Sequence, residues 1–201
     1  MRSLQLFTKE KPFEFSNEGG AAQVVGYIPY YSGKPGDGTE YTVNDRLKMR
    51  FNQGSFANAL ASGQPIMAFF NHDSSTVFAR TDLGTLSFAD FPSFLRYTIT
   101  LDLTDSDAAK VYSKISKGLV QGTSFGGYIT AEDWFSEDQY DVNVVTEFAL
   151  NEVSPCPQPA FTGSKAIIRS NDQKDMEESW NKWQHDLRIK RYEEIKASLT
   201  K

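Results

Sequence analysis

The segment GLVQGTSFGGYIT (residues 118–130) decides between two folds for this chain. Its residues 122–126 read as G-x-S-x-G, the pattern of the α/β-hydrolase elbow, in which a serine sits on a tight turn between a strand and a helix. The residues after the serine favour continuation of a strand and do not open a helix. The only downstream histidine, His185, lies in a densely charged segment, where a solvated surface position is expected. We therefore reject the elbow and interpret residues 119–130 as a strand that carries Ser124.

The neighbouring sequence is also rich in strand signals. Four further segments have the alternation or the compact apolar character of strands: 21–31, 65–73, 95–103 and 141–150. The segment TVFARTDLGTLSF (76–88) indicates a hairpin around Gly84. A regular alternation of strands and helices is missing, so the sequence predicts an α+β fold with a mostly antiparallel sheet.

Helices are few in this reading. A short helix is predicted between Gly54 and Gly63, and a longer one begins at Thr104 or Asp105 and stops at Gly118. The composition then divides the chain into a domain of residues 1–170 and a charged tail of residues 171–201. The tail is predicted to form an amphipathic helix, with these apolar residues near helical spacing: Met176, Trp180, Trp183, Leu187, Ile195 and Leu199.

Composition excludes several classes of function. A net charge of −5 gives no general electrostatic reason to bind nucleic acid or an anionic membrane. No apolar run approaches the roughly 18 residues of a membrane span, and the charged first residues make a signal peptide unexpected. The single cysteine, Cys156, cannot form an internal disulfide and fits a reducing cytoplasm. With two histidines and no C-x-x-C pair, no zinc site is expected, and no metal or cofactor is predicted.

The histidine count also limits nucleophilic catalysis. An imidazole base for Ser124 has to be His72 or His185, and His72 ends an apolar strand where its ring could face a cleft. A third, orienting carboxylate could come from Glu152, with Asp73 and Asp141 as rivals. The structural interpretation, a hydrogen-bonded rim histidine and a serine in a glycine-rich bend, is favoured by spacing alone.

Cys156 is a weaker candidate nucleophile. It lies between Pro155 and Pro157, and a rigid turn is the expected structure there. A papain-type thiol would also need one of the two histidines beside it.

Four segments in order resemble the prohead maturation proteases of tailed bacteriophages, distant relatives of the herpesvirus assemblins. FFNHDSSTVFAR (69–80) resembles the apolar strand, N-H-D and hairpin block of that family, and GLVQGTSFGGY (118–128) resembles its nucleophile strand. LNEVSPCPQPAFTGSKA (150–166) resembles its L-x-E-V-S block followed by P-A-aromatic. The segment 24–60 is similar to its opening strand, variable loop and helix start. The resemblance covers roughly residues 20–168.

The resemblance implies a fold, a site and a function. The fold would be a closed, mostly antiparallel β-barrel flanked by helices. His72 would be the general base, Ser124 the nucleophile and Glu152 the orienting acid. The enzyme would be a serine endopeptidase that cleaves phage scaffold and major capsid protein inside the procapsid, in the host cytoplasm, and then digests itself. Whether a homodimer forms is left open. Two alternatives stay open as well: a catalytically silent assembly factor with the same fold, and a small serine esterase.

Overall fold

The computed structural model describes residues 14–16, 22–157 and 170–199 of the chain. The chain divides into two compact units, Met1–Ala166 and Ile167–Lys201. None of the helices in the described part of the chain combines the length and the apolar character that crossing a membrane requires. The structure is a strand-rich α+β fold with few helices, as the sequence predicted.

The described strands of the first unit are numbered along the chain. They are β1 (Glu14–Ser16), β2 (Ala22–Pro29), β3 (Glu40–Thr42), β4 (Leu47–Phe51), β5 (Met67–Phe70), β6 (Asp73–Arg80), β7 (Leu86–Phe91), β8 (Phe94–Leu101), β9 (Gly122–Glu137) and β10 (Tyr140–Cys156). Two helices accompany them, α1 (Ala57–Ala61) and α2 (Ser106–Ser116).

The strands form two sheets. In the four-stranded sheet the order is β1-β2-β8-β7, and every pairing is antiparallel. In the six-stranded sheet the order is β3-β4-β10-β5-β6, where β4 and β5 pair with opposite ends of β10. The sixth strand, β9, also pairs with β10. The closed barrel expected from the family resemblance is not seen among the strands that the structure describes.

The long strand β10 organises the six-stranded sheet. It pairs antiparallel with β9 along its length, and parallel with β4 at one end and with β5 at the other. The other strand pairings described are antiparallel, in line with the mostly antiparallel prediction. Strand β10 also runs to Cys156, six residues beyond the predicted end, so Glu152 lies inside a strand and not just after one. Because β5 pairs with β10 at Glu152 and Val153, the last residues of β10 gain ladder partners that local sequence does not reveal.

The predicted hairpin around Gly84 is wrong. The chain does turn there, with Gly84 at a φ of 69°, but β6 pairs with β5 and β7 pairs with β8. The five residues between β6 and β7 therefore carry the chain from one sheet to the other.

Helix α2 follows its sequence signals. The Asp105 carboxylate accepts hydrogen bonds from the backbone N–H groups of Asp107 and Ala108, at 2.7 and 3.3 Å, and so caps the first turn. Gly118 follows the last turn with a φ of 71°, the left-handed conformation that ends many helices. The predicted start and stop of this helix are confirmed.

An aromatic cluster lies on one face of β9. Phe125 packs against Phe51, Phe56 and Phe148, with ring centroids 5.1 to 5.5 Å apart and the rings edge to face. Such pairs contribute about 0.5–1.5 kcal/mol each beyond the burial of their surface. Since successive residues of a strand point to opposite faces, Phe125 on one face places Ser124 on the other.

The second unit contains the helix α3 (Ser170–Leu199) in the segment where the sequence predicted one. Trp183 and Leu187 are half-buried, and Tyr192 is exposed. The other predicted stripe residues have side chains outside those described: Met176, Trp180, Ile195 and Leu199. That the tail is a separate domain stays a prediction.

Candidate active site

Ser124 lies near the start of β9, on a face that it shares with two residues of β10. In the antiparallel register, Ser124 is opposite Ser154 and Gly126 is opposite Glu152. Directly opposed residues of an antiparallel pair project their side chains to the same face. The register alone therefore brings the Ser124 hydroxyl and the Glu152 carboxylate to one side of the β9–β10 ribbon. Both side chains are buried.

His72 reaches this face from the turn between β5 and β6. Asn71 and His72 are the two residues between Phe70 and Asp73, which pair across the hairpin, and they have positive φ angles of 52° and 62°. Positive φ at both positions is the feature of the type I′ hairpin turn, whose twist suits the flanking strands. Asparagine tolerates this conformation, whereas for histidine it costs about 1 kcal/mol or more.

Two hydrogen bonds hold that turn against the end of β10. The backbone N–H of Asn71 donates to the carbonyl of Pro155 at 3.1 Å, and the backbone N–H of His72 donates to Ser154 Oγ at 3.1 Å. These bonds offset the conformational cost of the turn and fix the position from which the imidazole extends.

The three side chains form a continuous hydrogen-bonded chain. His72 Nδ1 lies 2.5 Å from Glu152 Oε1, and His72 Nε2 lies 2.9 Å from Ser124 Oγ. With an ionised carboxylate at Nδ1, that nitrogen carries the proton and donates it, which leaves Nε2 to accept from the serine hydroxyl. The histidine side chain is 27% exposed, so the site is open to solvent at the ring and closed at the carboxylate.

Two further residues surround the carboxylate. Ser154 Oγ, fully buried, donates to Glu152 Oε2 at 2.7 Å. Gly126 leaves the space that the carboxylate occupies: a Cβ at that position would lie 3.2 Å from Glu152 Cδ and would overlap Oε1. The sequence indicated close backbone approach at these glycines, but not the group that approaches.

The strand before the serine is anchored to the other sheet. The hydroxyl of Tyr97, on β8, is hydrogen-bonded to Thr123 Oγ1. Burial raises the pKa of Tyr97 above its ordinary value, so the phenol stays neutral. The tyrosine ring fills the space above Gly26, where a side chain would collide with it. This contact fixes the residue directly before Ser124.

The rival residues lie elsewhere. The carboxylate of Asp73, next to His72 in sequence, is exposed and accepts from the N–H and hydroxyl of Ser75 at 2.9 and 2.7 Å. These hydrogen bonds lower the pKa of Asp73. Asp141 lies at the far end of β10, where it accepts from Ser136 Oγ at 3.0 Å. Of the three candidate acids, Glu152 is the one hydrogen-bonded to His72.

The second histidine and the cysteine were the other candidates for this chemistry. His185 is exposed on α3. Cys156 is buried as the last residue of β10, opposite Gly122. The rigid turn expected around it is wrong because Pro155 and Cys156 belong to the strand. Within the described residues no group of three or more His, Cys, Asp or Glu side chains is placed to hold a metal ion.

In this geometry the three side chains can act as a nucleophile, a base and an orienting acid. A hydroxyl at 2.9 Å from an unprotonated imidazole nitrogen can give up its proton as it attacks a carbonyl carbon. A carboxylate at the other ring nitrogen fixes the tautomer and stabilises the imidazolium that forms. Ser154 was missed by sequence reasoning, although it stands in the same E-V-S block as Glu152.

Of three comparisons with known proteins, one gives a match. Searches of curated proteins and of solved structures found no significant match, and the distant relationship to the herpesvirus assemblins stays a prediction. A family model described as caudovirus prohead serine protease matches residues 13–179. Because that match spans most of the chain and contains Ser124, His72 and Glu152, the protein belongs to the caudovirus prohead serine protease family.

Proposed function

We propose that this protein is a Ser-His-Glu endopeptidase that cleaves scaffold and major capsid proteins inside the assembling procapsid of a tailed phage, within the host cell. The observation that carries the proposal is the unbroken hydrogen-bonded chain from Ser124 through His72 to Glu152. Family membership supports the peptidase activity and its setting in the prohead. The choice of scaffold and capsid proteins as substrates follows from that setting.

The reaction proceeds in two halves. Ser124 Oγ attacks the carbonyl carbon of the scissile peptide while its proton passes to His72 Nε2. The C–N bond then breaks, the same proton passes to the departing amine, and an ester to Ser124 remains. A water molecule attacks that ester, His72 takes a proton from it and returns it to Ser124 Oγ, and the carboxylic acid product leaves.

Glu152 acts through His72 in both halves. Its Oε1 accepts from Nδ1–H and keeps the ring in the tautomer whose Nε2 faces the serine. The positive charge that develops on the ring is stabilised by the buried carboxylate, where little water screens the interaction. In enzymes with such triads, removing the nucleophile or the base lowers kcat by about 10⁶-fold.

The test is intact-mass spectrometry of the purified protein after incubation with its scaffold and capsid partners. We expect the wild type to generate fragments, and Ser124→Ala and His72→Ala to generate none. Ser136→Ala, on the same strand, and His185→Ala, at the other histidine, are the matched controls and should cut as the wild type does. Fragments of the protease itself would establish self-cleavage.

Two results would contradict the proposal. Equal cleavage by Ser124→Ala would place the nucleophile elsewhere. No cleavage by any variant, with all of them still entering procapsids, would favour a catalytically silent assembly factor.

Light scattering of Ser124→Ala, which is protected from self-digestion, would measure whether a homodimer forms.

A further inference from the structure

The hydroxyl of Ser154 contacts both the acid and the base of the proposed triad. Its oxygen donates to Glu152 Oε2 at 2.7 Å and accepts from the backbone N–H of His72 at 3.1 Å. Serine is fully buried here, so bulk water does not compete for either bond. One hydroxyl therefore joins β10 to the turn that carries the imidazole.

The two bonds of Ser154 act on the two residues of one contact, that between Glu152 Oε1 and His72 Nδ1. The bond to Oε2 stops the carboxylate from rotating, which directs its other oxygen, Oε1, at His72 Nδ1. The bond from the backbone of His72 fixes the turn, which is held in a left-handed conformation that histidine adopts at a cost. Losing the hydroxyl would release both partners at once.

Ser154 is not placed to be a nucleophile itself. It is opposite Ser124 on the neighbouring strand, yet its proton points to Glu152 and its surface is closed to solvent. A peptide carbonyl could not reach its oxygen without displacing the carboxylate or the turn. The role open to it is to position groups that react.

We infer that Ser154 is a positioning residue of the protease, which holds Glu152 and His72 in register for proton transfer to and from Ser124. The inference rests on the proposed function. It predicts that part of the contribution of Ser154 to the reactivity of Ser124 passes through Glu152, so the effect of losing the hydroxyl is smaller when that carboxylate is removed.

The experiment measures the rate at which a fluorophosphonate probe labels Ser124, which needs no knowledge of the cleavage site. Ser154→Ala should slow labelling by up to about 100-fold, since a misplacement of reacting groups by about 1 Å costs about 10²-fold. Ser154→Cys keeps the shape of the side chain but has only a weak donor, and its rate should fall between the two. Ser136→Ala, which removes a serine bonded to Asp141 at the far end of the same hairpin, should label at the wild-type rate.

A double-mutant cycle separates positioning from general stabilisation. In a Glu152→Gln background, Ser154→Ala should slow labelling by a smaller factor than in the wild type, because the part of its effect that passes through the carboxylate is already lost and the bond to the His72 backbone remains. A thermal unfolding curve for each variant checks that it is folded at the temperature at which the labelling rates are compared. If Ser154→Ala does not fold, Ser154→Cys carries the same comparison.

The outcomes are distinguishable. Labelling of Ser154→Ala and Ser154→Cys at the wild-type rate would overturn the inference alone, as would an equal slowing with and without the Glu152 carboxylate. A wild type that the probe does not label, or labels as fast when Ser124 is alanine, would overturn the proposed function and the inference with it.

Discussion

Replacing Gly126 by alanine should disable the site while leaving the fold intact. The backbone of Gly126 does not have a positive φ, so alanine can adopt its conformation without strain. The added methyl group, however, would overlap Glu152 Oε1 and lie 3.2 and 3.3 Å from Cδ and Cγ of the same side chain. The neighbour that has to move is thus the carboxylate that His72 contacts.

The size of the effect follows from the distances. To regain an ordinary van der Waals separation, Oε1 has to retreat by about 1 Å. Its separation from His72 Nδ1 would grow from 2.5 Å to about 3.5 Å, beyond the usual limit of a hydrogen bond. A misplacement of about 1 Å costs about 10²-fold, and complete loss of the acid costs about 10⁴-fold. We therefore expect kcat/KM to fall between these limits.

The assay compares kcat/KM and thermal unfolding for the wild type, Gly126→Ala and Glu152→Gln on one peptide substrate. We expect Gly126→Ala to lose activity with an unfolding free energy within about 1 kcal/mol of the wild type, because alanine also reduces the conformational entropy of the unfolded chain. The double variant Gly126→Ala/Glu152→Gln should be no slower than Glu152→Gln.

Full activity in Gly126→Ala would refute this reasoning, since the carboxylate would then be unnecessary in the position that the structure gives it. Lost activity with a large loss of stability would also count against it, because the damage would be to the fold and not to the triad.

Two further predictions concern stability. Gly127→Ala should lower the unfolding free energy by about 3 kcal/mol and Tm by about 10 °C, because its Cβ would collide with the backbone carbonyl of Ala149; an unchanged melting curve would contradict this. Burial would raise the pKa of Glu40, but hydrogen bonds and charge from Lys48 and Arg50 outweigh it and lower that pKa. Because the pKa is lowered by folding, the stabilisation from Glu40 is present above its ordinary value of 4.5 and is lost as the pH falls through the lower, folded-state pKa. The Tm difference between wild type and Glu40→Gln should therefore shrink as the pH falls below 4.5, and a constant difference would contradict the assignment.

Local sequence was sufficient wherever neighbours along the chain determine the structure. The alternation of apolar residues identified β8, and the cap at Asp105 and the stop at Gly118 bounded α2. The strand character of residues 119–130 was sufficient to reject the hydrolase elbow at Ser124. These features depend on contacts within a few residues.

Long-range pairing was not predictable in the same way. The end of β10 was placed six residues too early, since its last residues are paired by β5 and β9, far away in sequence. The turn at Gly84 was identified, but whether it joins two strands of one sheet or of two depends on which partners those strands find. Closure into a barrel was an expectation of the family resemblance, not of any local signal.

The candidate site also has features that local sequence predicts and features that depend on long-range pairing. A histidine count and a glycine-rich strand narrowed the base and nucleophile to few residues, but spacing alone could not choose among Glu152, Asp73 and Asp141. That choice depends on the β9–β10 register, which places Glu152 opposite Gly126. Ser154 was overlooked because a lone serine has no sequence signal, and its two bonds reach His72 and Glu152 only in the folded chain.

In the proposed triad, the sequence separation of its members determines when during synthesis the acid becomes available to the base. Glu152 follows His72 by 80 residues, and at about 5–20 residues per second the ribosome needs about 4–16 s to add them. Until then the base has no acid, and β9 has no β10, the strand with which it pairs in the structure. On the proposed mechanism, a nascent chain that already contains Ser124 but not Glu152 should cut about 10⁴-fold more slowly than the complete chain. On that mechanism, the order of the residues delays full activity until translation has passed Glu152.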